Sequence, residues 1–413
     1  MASAHTNDST MWRTVFTDPH LTKLIEVALK QNADLRTACL NVEQAEAQLR
    51  ASRLAFLPGL TIGAEGTITE TKGQPTSKTY NIPMTMQWEI DLAGRLRGEK
   101  RAAVASFWST AETERAVRLR LIAGVAAQYY QLVMMDEQLN VIRQSVENAR
   151  QTLEVTETLK EVGMQNEAAV NAAKAAYMNV MAQEKTLLQQ IKTAENAMGV
   201  LVGQSIADSL LQRSANMDAV VFEPAQNYQL VKLANRPDVR AAEYALKAQM
   251  AQVDVARAAF YPQLNITATA GWTNNVGQVV NPGQMLLSAI GSLVQPLFSK
   301  GQNRANLRIA KARQEQALVA FNQSLLVAGA ELSDALTACR LSSDRLALRQ
   351  QEVAAAERAF EVSRLLMENS SATYLEVLVA QQTLLQARQA LAADRLDNIQ
   401  GKINLYKALG GEL

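Results

Sequence analysis

The chain has 413 residues, with 41 Lys+Arg against 40 Asp+Glu, a formal net charge of +1 and a sequence pI near 7.7. This balance excludes the basic field that nucleic-acid binding needs. Hydrophobic residues reach 48% but aromatics only 5%, so the apolar content is aliphatic and suits helices packed through small side chains. Two His, and two Cys without a CxxC partner, leave no catalytic or metal-ligating constellation, and no cofactor is expected.

Met1-Ala2-Ser3-Ala4-His5 lacks the basic and apolar regions of a signal peptide, as expected of a mature sequence whose export signal has been removed. No run approaches the roughly 20 apolar residues of a membrane-spanning helix. The first predicted helix starts at Asp18-Pro19, an N-cap followed by a first-turn proline, is re-capped near Asn32 and runs to Pro58, giving an N-terminal segment 1–58. A β-hairpin follows over 59–93. Leu60, Ile62 and Ala64 alternate with other residues, and Gly73-Gln74-Pro75 supplies the turn. In the returning strand Tyr80, Ile82, Met84, Met86, Trp88 and Ile90 share one face, while Asn81, Thr85, Gln87, Glu89 and Asp91 share the other.

From Gly94 nothing breaks the helical pattern until Gly163, a helix roughly 100 Å long at about 1.5 Å per residue. Val125, Leu132, Leu139, Val146 and Leu153 recur every seven residues, with Met135, Ile142 and Ala149 three further on, which predicts a left-handed coiled-coil seam. Gly163-Met164-Gln165-Asn166 reads as a helix turn, the glycine permitting a left-handed helix end and the asparagine capping the returning helix. The helical hairpin thus spans 94–202, and 203–236 is a linker.

The second half repeats the first. At an offset of 204, residues 34–66 and 238–270 share 12 identities in 33 positions, among them Asp34/Asp238, Arg36/Arg240, Arg53/Arg257 and Pro58/Pro262. The ends of the repeats match at offset 208, where Asn196–Gly203 faces Asn404–Gly411. The predicted elements are accordingly a helix over 237–262, a second hairpin over 263–299 and a long helical hairpin over 300–413. Leu264, Ile266, Ala268, Ala270 and Trp272 alternate, and Asn281-Pro282-Gly283 supplies a turn. The 42 residues from Ala258 to Ser299 contain no Asp, Glu, Lys or Arg. Edges so uncharged invite aggregation in water and belong in lipid, where backbone groups pair in a closed barrel. Two hairpins give about four strands, too few to close, so several chains are expected to share one barrel; a soluble sheet packed on helices is the alternative.

The last helical hairpin carries two heptad series, Leu341-Leu348-Ala355-Val362 and Leu346-Val353-Phe360-Met367. Two seams imply two neighbouring helices, as in a closed ring; a solvated dimeric rod, or a periplasmic coiled-coil scaffold without a pore, is the alternative. At the second helix turn Ser370-Ser371-Ala372-Thr373 keeps the cap without the glycine, and Asn369 is the candidate for the left-handed position.

Trp12, Phe16, Asp18-Pro19, Leu24-Ile25, Ala28-Leu29, Asn32 and Asp34-Leu35-Arg36 resemble the opening of the outer-membrane factors, the TolC-like channels of tripartite efflux pumps. Ala55-Phe56-Leu57-Pro58, Asp91-Leu92-Ala93-Gly94-Arg95, Pro296-Leu297-Phe298 with Gly301, and Asn404-Leu405-Tyr406-Lys407-Ala408-Leu409-Gly410-Gly411 continue the likeness through essentially the whole chain. The resemblance implies a mainly α fold with a membrane β-barrel, built from duplicated long coiled-coil helices and two β-hairpins per chain. A homotrimer would form a twelve-stranded barrel and a twelve-helix α-barrel, with an equatorial layer from the linker and the termini. It implies the outer membrane of a Gram-negative bacterium, extending into the periplasm, and a passive duct for small-molecule export rather than an enzyme. The partners implied are a periplasmic adaptor (membrane fusion protein), an inner-membrane transporter of RND type and outer-membrane lipid, with no nucleic acid.

Many members of that family carry a lipidated first Cys, which this sequence lacks, so a lipoprotein is expected only if that residue has been trimmed from this sequence, and otherwise lipidation is absent. The turn at Gly163, Met164, Gln165 and Asn166 resembles the family's Gly-x-x-Ser tip, and with Asn369, Ser370, Ser371 and Thr373 it marks the expected adaptor-docking tips. Tyr374, Leu375 and Glu376 match the segment that closes the periplasmic mouth. Three copies of Glu376 would converge and repel unless they bind a cation or a proton. Val379 stands where Asp is frequent, so a second acidic ring is expected to be missing. Taken alone, Glu376 also fits an ordinary solvated helix position. Tyr80, Ile82, Met84, Met86 and Trp88 are the expected lipid-facing strand residues.

Overall fold

The computed structural model describes residues 12–73, 75–204, 212–214, 230–274, 284–368 and 374–411. In chain order, α1 (Trp12–Val15), α2 (Pro19–Gln31) and α3 (Ala33–Leu54) lead to β1 (Gly59–Ile62), β2 (Glu65–Thr69) and β3 (Ser77–Ile90). The long helix α4 (Arg95–Glu161) and its return α5 (Glu167–Val202) complete the first half. After a 3-10 turn over Leu230–Asn235, the second half runs α6 (Pro237–Ala258), β4 (Gln263–Thr273), β5 (Gln284–Val294), α7 (Gln302–Glu368) and α8 (Tyr374–Ala408). The duplication is visible in the lengths. α3 and α6 have 22 residues each, α4 and α7 have 67 each, and α5 and α8 have 36 and 35. No described helix is long and apolar enough to cross a membrane.

The chain forms two compact units, one from 1–38, 114–237 and 325–413 and the other from 39–113 and 238–324. Each draws on both halves of the sequence, and α4 and α7 contribute to both.

In the first unit Asp18 caps α2, accepting hydrogen bonds from the His20 N–H at 2.8 Å and the Leu21 N–H at 3.4 Å. Its other oxygen accepts from the Tyr129 hydroxyl at 2.8 Å, and that hydroxyl in turn accepts from the Ser214 N–H at 3.0 Å. Burial, above all, pushes the Tyr129 phenol up from its ordinary pKa. Trp12, Phe16, Leu24, Leu132, Met198 and Leu405 are fully buried in this unit.

The same device closes both repeats. Asn32 caps α3 through the Leu35 N–H at 2.9 Å and donates its amide to the Leu201 carbonyl at 2.9 Å. Arg236 stands at the equivalent place, buried, donating to the Ala408 carbonyl at 3.2 Å and to Glu331 at 2.6 Å. In each case a side chain just before a short helix satisfies a carbonyl at the end of the returning one. The returning helices end alike in left-handed glycines, Gly203 (φ 82°) and Gly410 (φ 74°), each with the paired backbone bonds of a Schellman turn. Sequence matching sets Gly203 against Gly411, whereas the structure sets it against Gly410, the residue at the same place in the closing turn. A Cβ at Gly203 would come within 2.4 Å of the Gln31 carbonyl oxygen, so that turn requires glycine on two counts.

Helix order in this unit follows from its ion pairs and contacts. Arg345 and Arg349 reach Asp394 at 2.7 and 2.9 Å, joining α7 to α8. Arg395 pairs with Glu137, and Arg388 donates to Gln144 at 3.0 Å, joining α8 to α4. Gln128 donates to the Ala194 carbonyl at 3.0 Å, joining α4 to α5. The order is therefore α5-α4-α8-α7. The predicted α4 seam is buried at Val125, Leu132, Leu139, Ile142 and Ala149. On α7 the two series part company. Val353, Phe360 and Met367 are buried in a cluster with Ala173, Val377 and Leu384, whereas Leu341, Leu348 and Val362 are 53%, 67% and 45% exposed.

In the second unit α3 ends at Leu54 rather than running to Pro58. The chain turns through Leu57, whose N–H bonds the Leu54 carbonyl at 2.9 Å, because Pro58 disfavours helical geometry in the residue before it. The two predicted hairpins are not separate: all the strands form one antiparallel sheet ordered β1-β3-β4-β5, with β2 also paired to β3. β1 and β2 keep a single register against β3, Ile62 opposite Met84 and Glu65 opposite Asn81. They are one strand interrupted at Gly63 and Ala64, where Pro83 of β3 has no N–H to give. Gly63 still donates to the Pro83 carbonyl at 2.9 Å. On the other side of Pro83 lies Gly271, whose hypothetical Cβ would sit 2.4 Å from the Ile82 carbonyl oxygen, so β4 can approach this point only as glycine.

Candidate membrane sheet and helix tips

Cross-strand register sorts the sheet into two chemically different faces. Leu60 and Ile62 of β1 lie opposite Met86 and Met84 of β3. Ile82, Met84, Met86, Trp88 and Ile90 in turn lie opposite Trp272, Ala270, Ala268, Ile266 and Leu264 of β4. These β4 residues meet Met285, Leu287, Ala289, Gly291 and Leu293 of β5. Since directly opposed residues share a face, one face is apolar across the sheet's whole width. The other face carries Thr61, Thr85, Gln87, Glu89, Asn265, Thr267, Thr269, Ser288 and Ser292, broken by Pro83 and Ile290.

Among the described residues nothing covers the apolar face. Ile62, Ile82, Met84, Trp272 and Leu287 are all exposed, Leu287 by 74%, while Tyr80 and Met86 of the expected lipid-facing set are half-buried. The face is also bounded by two tryptophans. Trp88 lies at the end where the helices join, its indole donating to the Phe56 carbonyl at 3.0 Å, and Trp272 lies six residues further along from Ile266, the partner of Trp88, or about 20 Å at a strand's rise. An apolar band of that height between aromatic girdles is the lipid-facing pattern of a membrane barrel.

The outer edges of β1/β2 and of β5 have no partner strand among the described residues. On the polar face Glu89 accepts from Arg95 at 2.8 Å, and just past the strand Asp91 caps α4 through the Leu96 and Arg97 N–H groups. Burial opposes the Asp91 charge, but those N–H groups and the Arg97 guanidinium outweigh it and hold the carboxyl below its ordinary pKa.

The first helix turn is built as its residues predict. Gly163 has φ 78°, and the pair of bonds from the Gly163 N–H to Lys160 and from the Met164 N–H to Leu159 makes a Schellman turn. Asn166 caps α5, accepting from the Ala169 N–H at 2.9 Å. Lys160 pairs with Glu167 across the turn. Val162 and Met164 stand 65% and 66% exposed, so the tip presents apolar side chains on a fixed backbone; the sequence marks the turn but not this exposure. Asn369, Ser370, Ser371 and Thr373 of the second tip lie outside the described residues. Tyr374 opens α8, and past it Leu375, Glu376 and Val379 are exposed on one stripe with Gln382, Thr383 and Gln386. The opposite side of α8 is buried through Val377 and Leu384. The structure thus brings Leu375, Glu376 and Val379 together. Among the described residues no group of three or more His, Cys, Asp or Glu is placed to hold a metal ion.

Comparison with known proteins agrees with this architecture. A sequence profile of the family described as outer membrane efflux protein matches residues 24–204 and 231–411, once for each half. The chain is 29% identical over 405 residues to the cation efflux system protein CusC of Escherichia coli, covering 97% of this chain and 88% of that protein. It is 30% identical over 404 residues to the toluene efflux pump outer membrane protein TtgI of Pseudomonas putida, covering 96% and 86%. A solved structure of CusC matches with a TM-score of 0.91 at 28% identity, over 97% of this chain and 94% of that one. The chain therefore belongs to the outer membrane efflux protein family, and is a channel component of the outer membrane rather than the pore-free scaffold that its periodicity alone also allows.

Proposed function

We propose that three copies of the chain form a passive exit duct, each lending four strands to a shared twelve-stranded barrel and its long helices to a twelve-helix tunnel. The observation that carries this is the sheet itself, apolar over one exposed face and, among the described residues, unpaired along both outer edges. Lipid covers the face and neighbouring copies pair the edges. The polar face then lines a wet interior. No bond is made or broken; an inner-membrane transporter, of RND type by the family's likeness, and a periplasmic adaptor supply energy and coupling. CusC and TtgI bear the names of cation and toluene efflux, consistent with a duct that does not read its cargo.

In the helical unit the free edges are α7 and α5. The exposed leucine series of α7 faces outward, and α5 presents Ala168, Ala172, Ala175, Asn179, Ala182 and Thr186, all exposed at alternating spacings of four and three. Val362 lies level with this stripe and Leu348 and Leu341 just beyond its Thr186 end, so α7 of one copy packs against α5 of the next.

The tips at Gly163, Met164, Gln165 and Asn166, and at Asn369, Ser370, Ser371 and Thr373, receive the adaptor. Gly163→Trp strains a left-handed position and fills the tip, so efflux in cells is expected to fall to background while the trimer survives extraction. Full efflux in that variant contradicts docking at the tip.

Tyr374, Leu375, Glu376 and Val379 close the resting mouth. Three Glu376 carboxylates near one axis repel, and a divalent cation applied from the tip side relieves that repulsion and holds the mouth shut. In planar bilayers Glu376→Ala is expected to lessen divalent-cation block several-fold; unchanged block removes Glu376 from the constriction.

A further inference from the structure

In the sheet-bearing unit a groove of about 1130 Å³ runs between the first turns of α4 and the last turns of α6, with Phe56 at one end. The helices close its floor, since a Cβ on Gly98 would lie 2.8 Å from the Val255 side chain. Five cations line it, Arg97, Lys100, Arg101, Lys247 and Arg257, against one carboxylate, Asp254. Just outside the lining, Asp91 holds Arg97 at 3.1 Å and Glu243 holds Lys247 at 2.6 Å. Asp254 is shared between Arg101 at 3.0 Å and Arg257 at 3.4 Å. The excess positive charge therefore rests on Lys100, which lies over the Phe56 ring at 5.9 Å, and on the Arg101–Asp254–Arg257 cluster. At the other end Trp108 stacks on Tyr244 with ring centroids 6.2 Å apart.

Two observations place this groove on the apolar side of the sheet. Arg95 is tied to Glu89 on the polar face, and Arg97, Lys100, Arg101 and Trp108 lie on the side of α4 away from it, counting about 100° per residue. Phe56, which lines the groove, accepts the indole hydrogen bond of Trp88, the tryptophan that bounds the apolar band. Leu57, Tyr261, Leu297 and Phe298 are also strongly exposed at this end of the strands, Leu297 by 92%. The groove is thus continuous with a membrane boundary.

We propose that it holds the anionic headgroup of a phospholipid from the leaflet nearest the helices, with the acyl chains lying along the uncovered sheet face. Guanidinium groups match a phosphodiester's oxygens, basic residues beside a membrane attract anionic lipid, and aromatic rings suit the boundary between headgroup and chain. This rests on the sheet being the membrane-spanning part.

The test is native mass spectrometry of purified, delipidated protein titrated with phosphatidylglycerol or phosphatidylethanolamine. The wild type is expected to retain one phosphatidylglycerol per chain in preference to phosphatidylethanolamine. Lys100→Gln with Arg257→Gln is expected to weaken phosphatidylglycerol binding about 25-fold, about five-fold for each charge removed, and to leave phosphatidylethanolamine unchanged. Equal retention by wild type and variant, or no headgroup preference in the wild type, overturns the proposal. Release of the lipid by millimolar inorganic phosphate assigns the groove to free anions instead, and a loss of oligomer in the variant assigns it to contact between copies. Lipid is counted per chain, so a wild type that runs as monomers contradicts the trimer without deciding the groove.

Discussion

Replacing Leu341 and Leu348 together by lysine is expected to leave the protein monomeric in detergent. Both side chains stand exposed on α7, 53% and 67%, while the parallel series Val353, Phe360 and Met367 is already buried within the chain. An exposed leucine stripe is costly unless something covers it, and burying one leucine contributes about 1.5–3 kcal/mol. Scaled by the share of each side chain still exposed, two leucines at each of three interfaces amount to about 5–11 kcal/mol, enough to decide assembly, and lysine adds a charge that the seam cannot solvate. Val353→Ala acts differently. It is expected to lower the stability of each chain by about 0.5–2 kcal/mol through a cavity and to leave the oligomer intact. Sedimentation of the two variants separates the outward seam from the inward one, and a fully trimeric lysine variant contradicts the assignment of α7 to the interface.

Charge on the apolar face of the sheet is expected to have a comparable effect on membrane assembly. Met84→Lys or Met86→Lys places an ammonium midway in the band bounded by Trp88 and by Trp272 with its partner Ile82, at a cost of about 2–4 kcal/mol per chain near the midplane. A trimer carries that cost three times. Thr85→Lys lies on the polar face and is expected to assemble normally. Trp88→Lys and Ile82→Lys are expected to be milder than Met84→Lys, because Trp88 reaches the Phe56 carbonyl at one boundary and Ile82 lies opposite Trp272 at the other, where lysine costs about 0–1 kcal/mol. The fraction of heat-resistant trimer in isolated outer membranes orders these variants. Equal assembly of Met84→Lys and Thr85→Lys contradicts a lipid-facing sheet.

Much of this was legible in the sequence because it follows from short periods. Alternation from Tyr80 to Ile90 assigned the two faces of β3, the heptad from Val125 to Leu153 gave the α4 seam, and Asp18, Asn32, Gly163 and Asn166 announced helix ends by the chemistry of capping. The duplication was readable from matched residues. Long-range events were not. Both heptad series on α7 are wholly apolar, and only the packing of α8 shows that Val353 turns inward and Leu348 outward. The interruption between β1 and β2 depends on Pro83, some twenty residues away, and the need for Gly271 depends on β4 meeting Pro83. The groove joins residues of α4 to residues of α6 that are about 150 positions distant, and no local pattern pairs them. Of the sites implied by resemblance, the stripe of Leu375, Glu376 and Val379 is formed as a surface, while the second tip lies outside the described residues.

Three-dimensional imaging of the purified protein in detergent tests the central claim most directly. Threefold particles are expected, in which a detergent belt surrounds a closed twelve-stranded barrel at the level of Met84 and Leu287, with the helices continuing from it as a hollow tunnel. Monodisperse particles without a belt, stable in the absence of detergent, would contradict it.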